Sequence, residues 1–143
     1  MINSVDISEQ DAVYDIGSGL GRICVLFELL TDAHEIRGVE VNRLLHSLSL
    51  QISKRAGLSR TEFIYGDAGE VDLSGSTIFF LFSPFTGPVF DTVLGRLSDV
   101  ARGRRIAVCS YGRSSERIAM EPWLACVDTS RMDEYKLAIF QST

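Results

Sequence analysis

The chain has 143 residues, of which 45% are hydrophobic and 23% are charged, and its formal net charge is −5. This length and composition predict one globular domain covering residues 1–143 and exclude a disordered chain. The acidic balance argues against a general nucleic-acid-binding surface, which needs clustered lysine and arginine.

The first strong pattern in the chain is a short apolar strand that runs into alternating glycines. Ala12 to Ile16 has the character of a buried strand, and Leu20 to Leu30 that of a helix with apolar residues at helical spacing. Between them stand Gly17, Gly19 and Gly21. Because glycine has no Cβ, this segment predicts a turn in which a ligand can approach the main chain closely.

A second strand and helix follow with clear end signals. Ile36 to Val41 predicts the strand, which carries the acid Glu40 near its end. Asn42 is a typical N-cap for the next helix, and Gly57 suits the left-handed position that ends it. His46 falls opposite the apolar stripe of this helix and is expected in solvent. The stripe is predicted to comprise Leu44, Leu45, Leu48 and Ile52.

The middle of the chain predicts two further strands and one long helix. Thr61 to Tyr65 forms the third strand, and the turn Gly66-Asp67-Ala68-Gly69 follows it. Thr77 to Phe82 is a continuous β-branched and aromatic run, typical of a parallel strand covered on both faces. Pro88 suits the first turn of the next helix, and Gly103 ends that helix.

The last third of the chain completes an α/β pattern. Arg105 to Tyr111 predicts a fifth strand and Ser114 to Met120 a short helix. Trp123 to Thr129 and Tyr135 to Phe140 are close enough to pair as an antiparallel hairpin. Alternating strands and helices imply a three-layer α/β sandwich, with helices on both faces of a mostly parallel sheet. Such sheets bind ligands at the carboxyl ends of their strands.

Three acids fall at successive predicted strand ends: Asp15, Glu40 and Asp67. A carboxylate at Asp15 would repel the pyrophosphate of a dinucleotide, so a ligand with a cationic amine or sulfonium fits better. The dinucleotide fingerprint Gly-x-Gly-x-x-Gly would also need glycine where Arg22 stands. An NAD-type site remains the alternative for this turn, and ordinary turn chemistry the alternative for Asp67.

The residues around these acids resemble the motifs of a known enzyme family. Asp15-Ile16-Gly17-Ser18-Gly19-Leu20-Gly21 resembles the first motif of the class I S-adenosylmethionine-dependent methyltransferases. Gly38-Val39-Glu40-Val41 resembles the second motif, and Gly66-Asp67-Ala68 the third. The resemblance implies a seven-stranded Rossmann-like sheet in the order 3-2-1-4-5-7-6, with the last strand antiparallel. It also implies S-adenosyl-L-methionine as cofactor. The number and wide spacing of the cysteines indicate no metal site.

The resemblance assigns a role to each acid. Asp15 and the glycine turn would hold the amino acid part of the cofactor, and Glu40 would accept hydrogen bonds from both ribose hydroxyls. Asp67 would lie beside the adenine amino group. The full set of cofactor-binding residues implied is Asp15, Gly17, Ser18, Gly19, Gly21, Glu40, Val41, Asp67, Ala68, Phe82 and Ser83.

The acceptor side of the predicted site follows the fourth strand. Phe82-Ser83-Pro84-Phe85 resembles part of the family's fourth motif, Asn/Asp-Pro-Pro-Tyr/Phe. Serine replaces the amide or acid that grips the target nitrogen, which argues against adenine or glutamine methylation. Ser83 and Phe85 are the candidate catalytic residues. Phe82, Phe85 and Tyr111 are predicted to line the reacting face, where π surfaces favour amines; a core position is the alternative for Phe82.

The function implied is methyl transfer from S-adenosylmethionine to a small molecule or a protein side chain. The alternative is a non-catalytic or partner-dependent S-adenosylmethionine-binding module, because only the short polar lead-in 1–10 precedes the first strand. A partner or second copy would then supply the lid. The widely spaced cysteines predict reduced thiols, and no apolar run reaches membrane-spanning length, so we expect a cytoplasmic protein without a membrane partner.

Overall fold

A computed structural model describes residues 7–82, 87–127 and 137–143. The strands in these ranges are β1 (Ala12–Ile16), β2 (Glu35–Glu40), β3 (Thr61–Tyr65), β4 (Ile78–Phe82), β5 (Ala107–Tyr111), β6 (Leu124–Cys126) and β7 (Leu137–Ser142). The helices are α1 (Arg22–Leu30), α2 (Arg43–Ala56), α3 (Pro88–Gly103) and α4 (Ser114–Ile118). Part of the predicted lead-in, 1–6, and the predicted connection of the last hairpin lie outside the described residues.

All the described strands join one sheet in the order β3-β2-β1-β4-β5-β7-β6. Strands β1 to β5 run parallel, and β7 runs antiparallel to both β5 and β6. The order and direction predicted from the resemblance are confirmed. The chain adds β2 and β3 on one side of β1 and then returns to place β4 on the other, so the topological switch point lies between β1 and β4.

Both faces of the sheet are covered, which explains the continuous apolar runs of the central strands. All five residues of β1 are buried. Tyr14 and Phe79 face the core layer under α3, to which the helix contributes Phe90, Val93, Leu94 and Leu97. Val13 and Phe80 face the other layer with Cys24 and Phe27 of α1. Among the described helices, none combines the length and apolar character needed to cross a lipid bilayer.

Helix α2 has the predicted ends but a different buried face. Asn42 caps it by accepting hydrogen bonds from the main-chain N–H groups of the first turn, and Gly57 ends it at φ 67°. Ser49 is fully buried, whereas Leu44 is 68% exposed. Leu45 of the predicted apolar stripe is partly buried, but Leu48 is exposed like Leu44, so the helix is rotated away from its apolar stripe. The hydroxyl of Ser49 donates to the carbonyl oxygen of His46 at 2.7 Å.

The expectation that His46 lies in solvent was wrong for the same reason. Its side chain is partly buried, and its Nε2–H donates to the carbonyl oxygen of Phe63 at 3.2 Å. The imidazole also contacts the ring of Tyr65, with 5.7 Å between the ring centroids. His46 is thus part of the contact between α2 and β3.

At the amino edge of the sheet, Arg60 joins the start of β3 to the end of α1. Its guanidinium donates to the main-chain carbonyls of Glu28, Thr31 and Ala33. The Glu28 carboxylate in turn accepts from the main-chain N–H groups of Ser59 and Arg60. Helix ends leave carbonyls without intrahelical partners, and this arginine supplies donors for them.

We predict that Arg60→Met lowers the free energy of unfolding by about 2 to 3 kcal/mol, because charge-assisted hydrogen bonds to otherwise unpaired carbonyls are lost. Urea unfolding followed by circular dichroism measures the change. Arg55→Met on the exposed last turn of α2 is the matched control and should change stability by well under half as much. Equal effects of the two variants would contradict a role for Arg60 in joining α1 to β3.

Candidate functional site

A cavity of about 390 Å³ opens at the carboxyl edge of the sheet, beside the switch point. The predicted site residues that line it are Asp15, Gly17, Ser18, Gly19 and Phe82. Sequence reasoning missed the other lining residues, Leu20, Arg22, Ile23 and Leu45. The first three adjoin the glycine motif, so their position in the chain was a usable signal. Leu45 comes from α2, and no local pattern pointed to it.

The three positions of the turn require glycine for different structural reasons. Gly17, Gly19 and Gly21 all have positive φ, at 79°, 55° and 77°. A Cβ on Gly21 would lie 2.3 Å from the ring of Phe63, so this glycine lets α1 pack against β3. A Cβ on Gly19 would meet no atom within 4 Å. Gly19 therefore leaves open space in the turn, as close approach of a ligand to the main chain requires.

Glu40 ties the glycine turn to the end of β2. One carboxylate oxygen accepts from the main-chain N–H of Gly19 at 2.8 Å, and the other accepts from the N–H of Asn42 at 2.8 Å. The residue is 9% exposed. Each carboxylate oxygen has capacity for a further hydrogen bond. The arrangement can therefore accept two hydroxyl donors while it holds the turn in place.

Asp15 places a buried carboxyl group at the cavity wall. It is 2% exposed, and the Cys24 thiol donates to Oδ2 with an Sγ to Oδ2 distance of 3.7 Å. Burial raises the pKa of Asp15 to about 7; the thiol contact opposes this rise and the charge of Glu40 adds to it. A cation in the cavity would stabilise the ionised carboxylate. The site is therefore suited to an ammonium or sulfonium group.

Asp67 follows β3 at the same edge but does not line the cavity. Its side chain is exposed, and Oδ1 accepts from the N–H of Gly69 at 2.7 Å. This hydrogen bond is typical of an ordinary turn-forming aspartate, which the sequence analysis gave as the alternative role of Asp67. Contact with an adenine ring stays a prediction for Asp67. The neighbouring Ala68 is buried in the core, and Val41 after β2 is 65% exposed.

Arg96 of α3 anchors the turn that carries Asp67. Its guanidinium donates to the carbonyl oxygens of Ala68 at 3.4 Å and Val71 at 2.5 Å. Arg96 lies far along the chain from this turn, so no local pattern indicated the contact. The turn is consequently fixed from both sides, by β3 and by α3.

Phe82 and Tyr111 form an aromatic surface at the ends of β4 and β5. Their rings stack with 4.9 Å between centroids and 12° between planes. Phe82 is 54% exposed and lines the cavity, so the alternative of a core position was wrong. It is the last residue of β4 and the one exposed residue of that strand. The candidate catalytic residues Ser83 and Phe85 lie outside the described residues.

The raised pKa of Asp15 predicts a specific pH dependence of stability. A carboxyl whose folded-state pKa lies above its ordinary value of 3.8 stabilises the fold at low pH, and this contribution is lost as pH rises through about 7. Asn at this position does not titrate. We therefore expect Asp15→Asn to gain stability relative to the wild type between pH 4 and 8, by about 4 kcal/mol in total.

Urea unfolding of both proteins across this pH range measures that difference. Asp32→Asn, at an exposed position, is the matched control and should follow the wild type. A stability difference between Asp15→Asn and wild type that stays constant with pH would contradict the assigned environment of Asp15.

Comparisons with known proteins bear on the fold and on part of the sequence. No model of a known protein family matches the chain. It is 32% identical over 84 residues to a protein-lysine N-methyltransferase from Saccharolobus islandicus (strain REY15A), and this match covers 57% of the chain and 52% of that protein. The matched segment thus spans about half the length of this relative.

Solved structures share the whole architecture. An RNA methyltransferase from Salinibacter ruber, in complex with S-adenosyl-L-homocysteine, matches with TM-score 0.74 and 24% identity over 99% of this chain and 85% of that one. A SAM-dependent methyltransferase from Aquifex aeolicus matches with TM-score 0.72 and 13% identity over the same shares, 99% and 85%. Together with the strand order, these likenesses show that the chain has the fold of the class I S-adenosylmethionine-dependent methyltransferases.

Proposed function

We propose that this protein transfers a methyl group from S-adenosylmethionine to an amine, and that protein lysine is its acceptor. The observation that carries the proposal is the arrangement of Asp15 and Glu40 around the glycine turn. One carboxyl is buried at the cavity wall, and the other holds the N–H of Gly19 at 2.8 Å. The relative named as a protein-lysine N-methyltransferase supports the choice of acceptor.

The residues present suit the chemical groups of the cofactor. The Asp15 carboxylate would bind its ammonium group, and Glu40 would accept from its ribose hydroxyls. The open space at Gly19 allows the main chain to come close to the ligand. When bound, S-adenosylmethionine supplies a methyl group that its sulfonium already activates. The protein therefore needs to supply alignment and a shielded site rather than a nucleophile.

The aromatic surface of Phe82 and Tyr111 supports an amine acceptor. Aromatic faces attract ammonium and methylammonium groups, and Phe82 borders the same cavity as Asp15. The attacking nitrogen must be unprotonated, because its lone pair forms the new bond to carbon. The side chains would hold the amine in line with the methyl carbon, and proximity would supply much of the rate.

The net charge supports a protein as the partner, and the thiols support a reducing compartment. A net charge of −5 favours a basic, lysine-rich protein as partner over RNA, whose phosphates this chain would repel. Cys24 and Cys109 are buried free thiols. Free thiols are typical of reducing compartments, so we place the protein in the cytoplasm.

We expect isothermal titration calorimetry to show that the wild type binds S-adenosylhomocysteine and that Glu40→Ala weakens this binding about 30- to 150-fold, the equivalent of about 2 to 3 kcal/mol for lost charge-assisted hydrogen bonds. Glu9→Ala is the control, because Glu9 is exposed and precedes β1 at the opposite edge. Thermal melts establish that the variants are folded. A wild type that fails to bind, or a folded Glu40→Ala that binds as well, would refute the cofactor site.

The acceptor is tested by transfer of a labelled methyl group from S-adenosylmethionine. We expect label to enter a lysine-rich protein and to disappear when the lysines of the same protein are first acetylated, because an amide nitrogen is not nucleophilic enough to attack the methyl carbon. Label in RNA instead would refute the lysine acceptor. Cofactor binding without transfer to lysine, RNA or small amines would favour the partner-dependent binding module over an enzyme acting alone.

A further inference from the structure

The cavity wall carries two opposite charges. Asp15 at the end of β1 and Arg22 at the start of α1 are the charged residues among the described ones that line it, and the remaining lining residues are glycine, serine or apolar. A cavity with one anion and one cation at separate positions is complementary to a zwitterion. Arg22 stands where a dinucleotide fingerprint needs glycine, and the motifs of the resemblance assign it no contact with a ligand.

Arg22 stands where helix electrostatics disfavour a cation. It is the first residue of α1, and the first turn of this helix holds no acidic residue. The amino end of a helix is positive, so acidic residues are preferred there and arginine is disfavoured. An arginine that is unfavourable at this helix end but lies at a cavity wall is therefore expected to contact a ligand there.

The guanidinium of Arg22 is also available to a ligand. The side chain is exposed at the cavity, and within the described parts of the chain it makes no ion pair or hydrogen bond. A planar guanidinium presents paired N–H donors that match the two oxygens of a carboxylate. The cavity is thus lined by a guanidinium that favours an anionic group and by the Asp15 carboxylate, which favours a cationic group.

We propose that Arg22 binds the carboxylate of the amino acid part of the cofactor, while Asp15 binds its ammonium group. This inference rests on the proposed function and adds to it a residue that recognises the amino acid end as a zwitterion. The site then distinguishes a complete amino acid from a plain amine or thioether on the same nucleoside. The apolar Leu20 and Ile23 beside Arg22 are suited to the two methylene groups that join the α-carbon to the sulfur.

The test compares three nucleosides that differ only in this end, by isothermal titration calorimetry. S-adenosylhomocysteine has both charges, its decarboxylated form keeps the amine alone, and 5′-methylthioadenosine has neither. We expect the wild type to bind S-adenosylhomocysteine about 10- to 100-fold more tightly than the decarboxylated form. Arg22→Gln should abolish this preference and leave the affinity for the other two nucleosides unchanged.

Arg43→Gln is the matched control, because Arg43 is the first residue of α2, is exposed and lies outside the cavity lining. It makes the same change of net charge and should keep the wild-type preference. An Arg22→Gln variant that keeps the preference, or that loses affinity equally for all three nucleosides, would overturn the inference while the cofactor site stands. Failure of the wild type to bind any of the three would overturn the proposed function and the inference together.

Discussion

The site depends on one carboxylate, that of Glu40, which accepts main-chain N–H groups from two different segments. Its bond to Gly19 holds the glycine turn, and its bond to Asn42 holds the start of α2. The N–H groups of Gly17 and Ser18 also donate to the carbonyl of Val39, at 3.0 and 2.9 Å. The turn after β1 is therefore shaped by the end of β2. A ligand that contacts Glu40 meets a group already fixed on both oxygens, so little ordering remains to oppose binding.

Close packing behind the turn explains the environment of Asp15. Gly21 brings α1 against Phe63, and an added Cβ on Gly38 would lie 2.9 Å from the sulfur of Cys24 and from the side chain of Ser18. These contacts draw α1 tightly onto β1 and β2. Asp15, in contact with the Cys24 thiol of α1, is 2% exposed. The glycines thus act on the chemistry of the site through packing as well as through the open turn.

Much of the fold could be predicted because its signals are local. The alternation of strands and helices, the Asn42 cap and the left-handed Gly57 are each determined within a few residues, and the acids Asp15 and Glu40 follow from strand ends. The rotation of α2 could not be predicted from its apolar stripe, because the contact between His46 and Phe63 of β3 lies off that stripe. The contact of Arg96 with the turn at Ala68 joins distant parts of the chain, and such pairs leave no periodic pattern.

A buried carboxyl at a ligand site links folding, protonation and binding. Asp15 lies at 2% exposure with a pKa of about 7, so near neutral pH the unliganded protein holds a mixture of neutral and ionised carboxyl. Replacing Asp15 with a neutral residue would favour folding, and a destabilising carboxyl at a cavity wall is consistent with a role in binding, since stability is often lower at functional sites. A cationic ligand binds the ionised form, so binding lowers the pKa of Asp15 and releases part of a proton. The ionised Asp15 carboxylate, which burial makes unfavourable in the unliganded fold, is thus stabilised when a cation occupies the cavity.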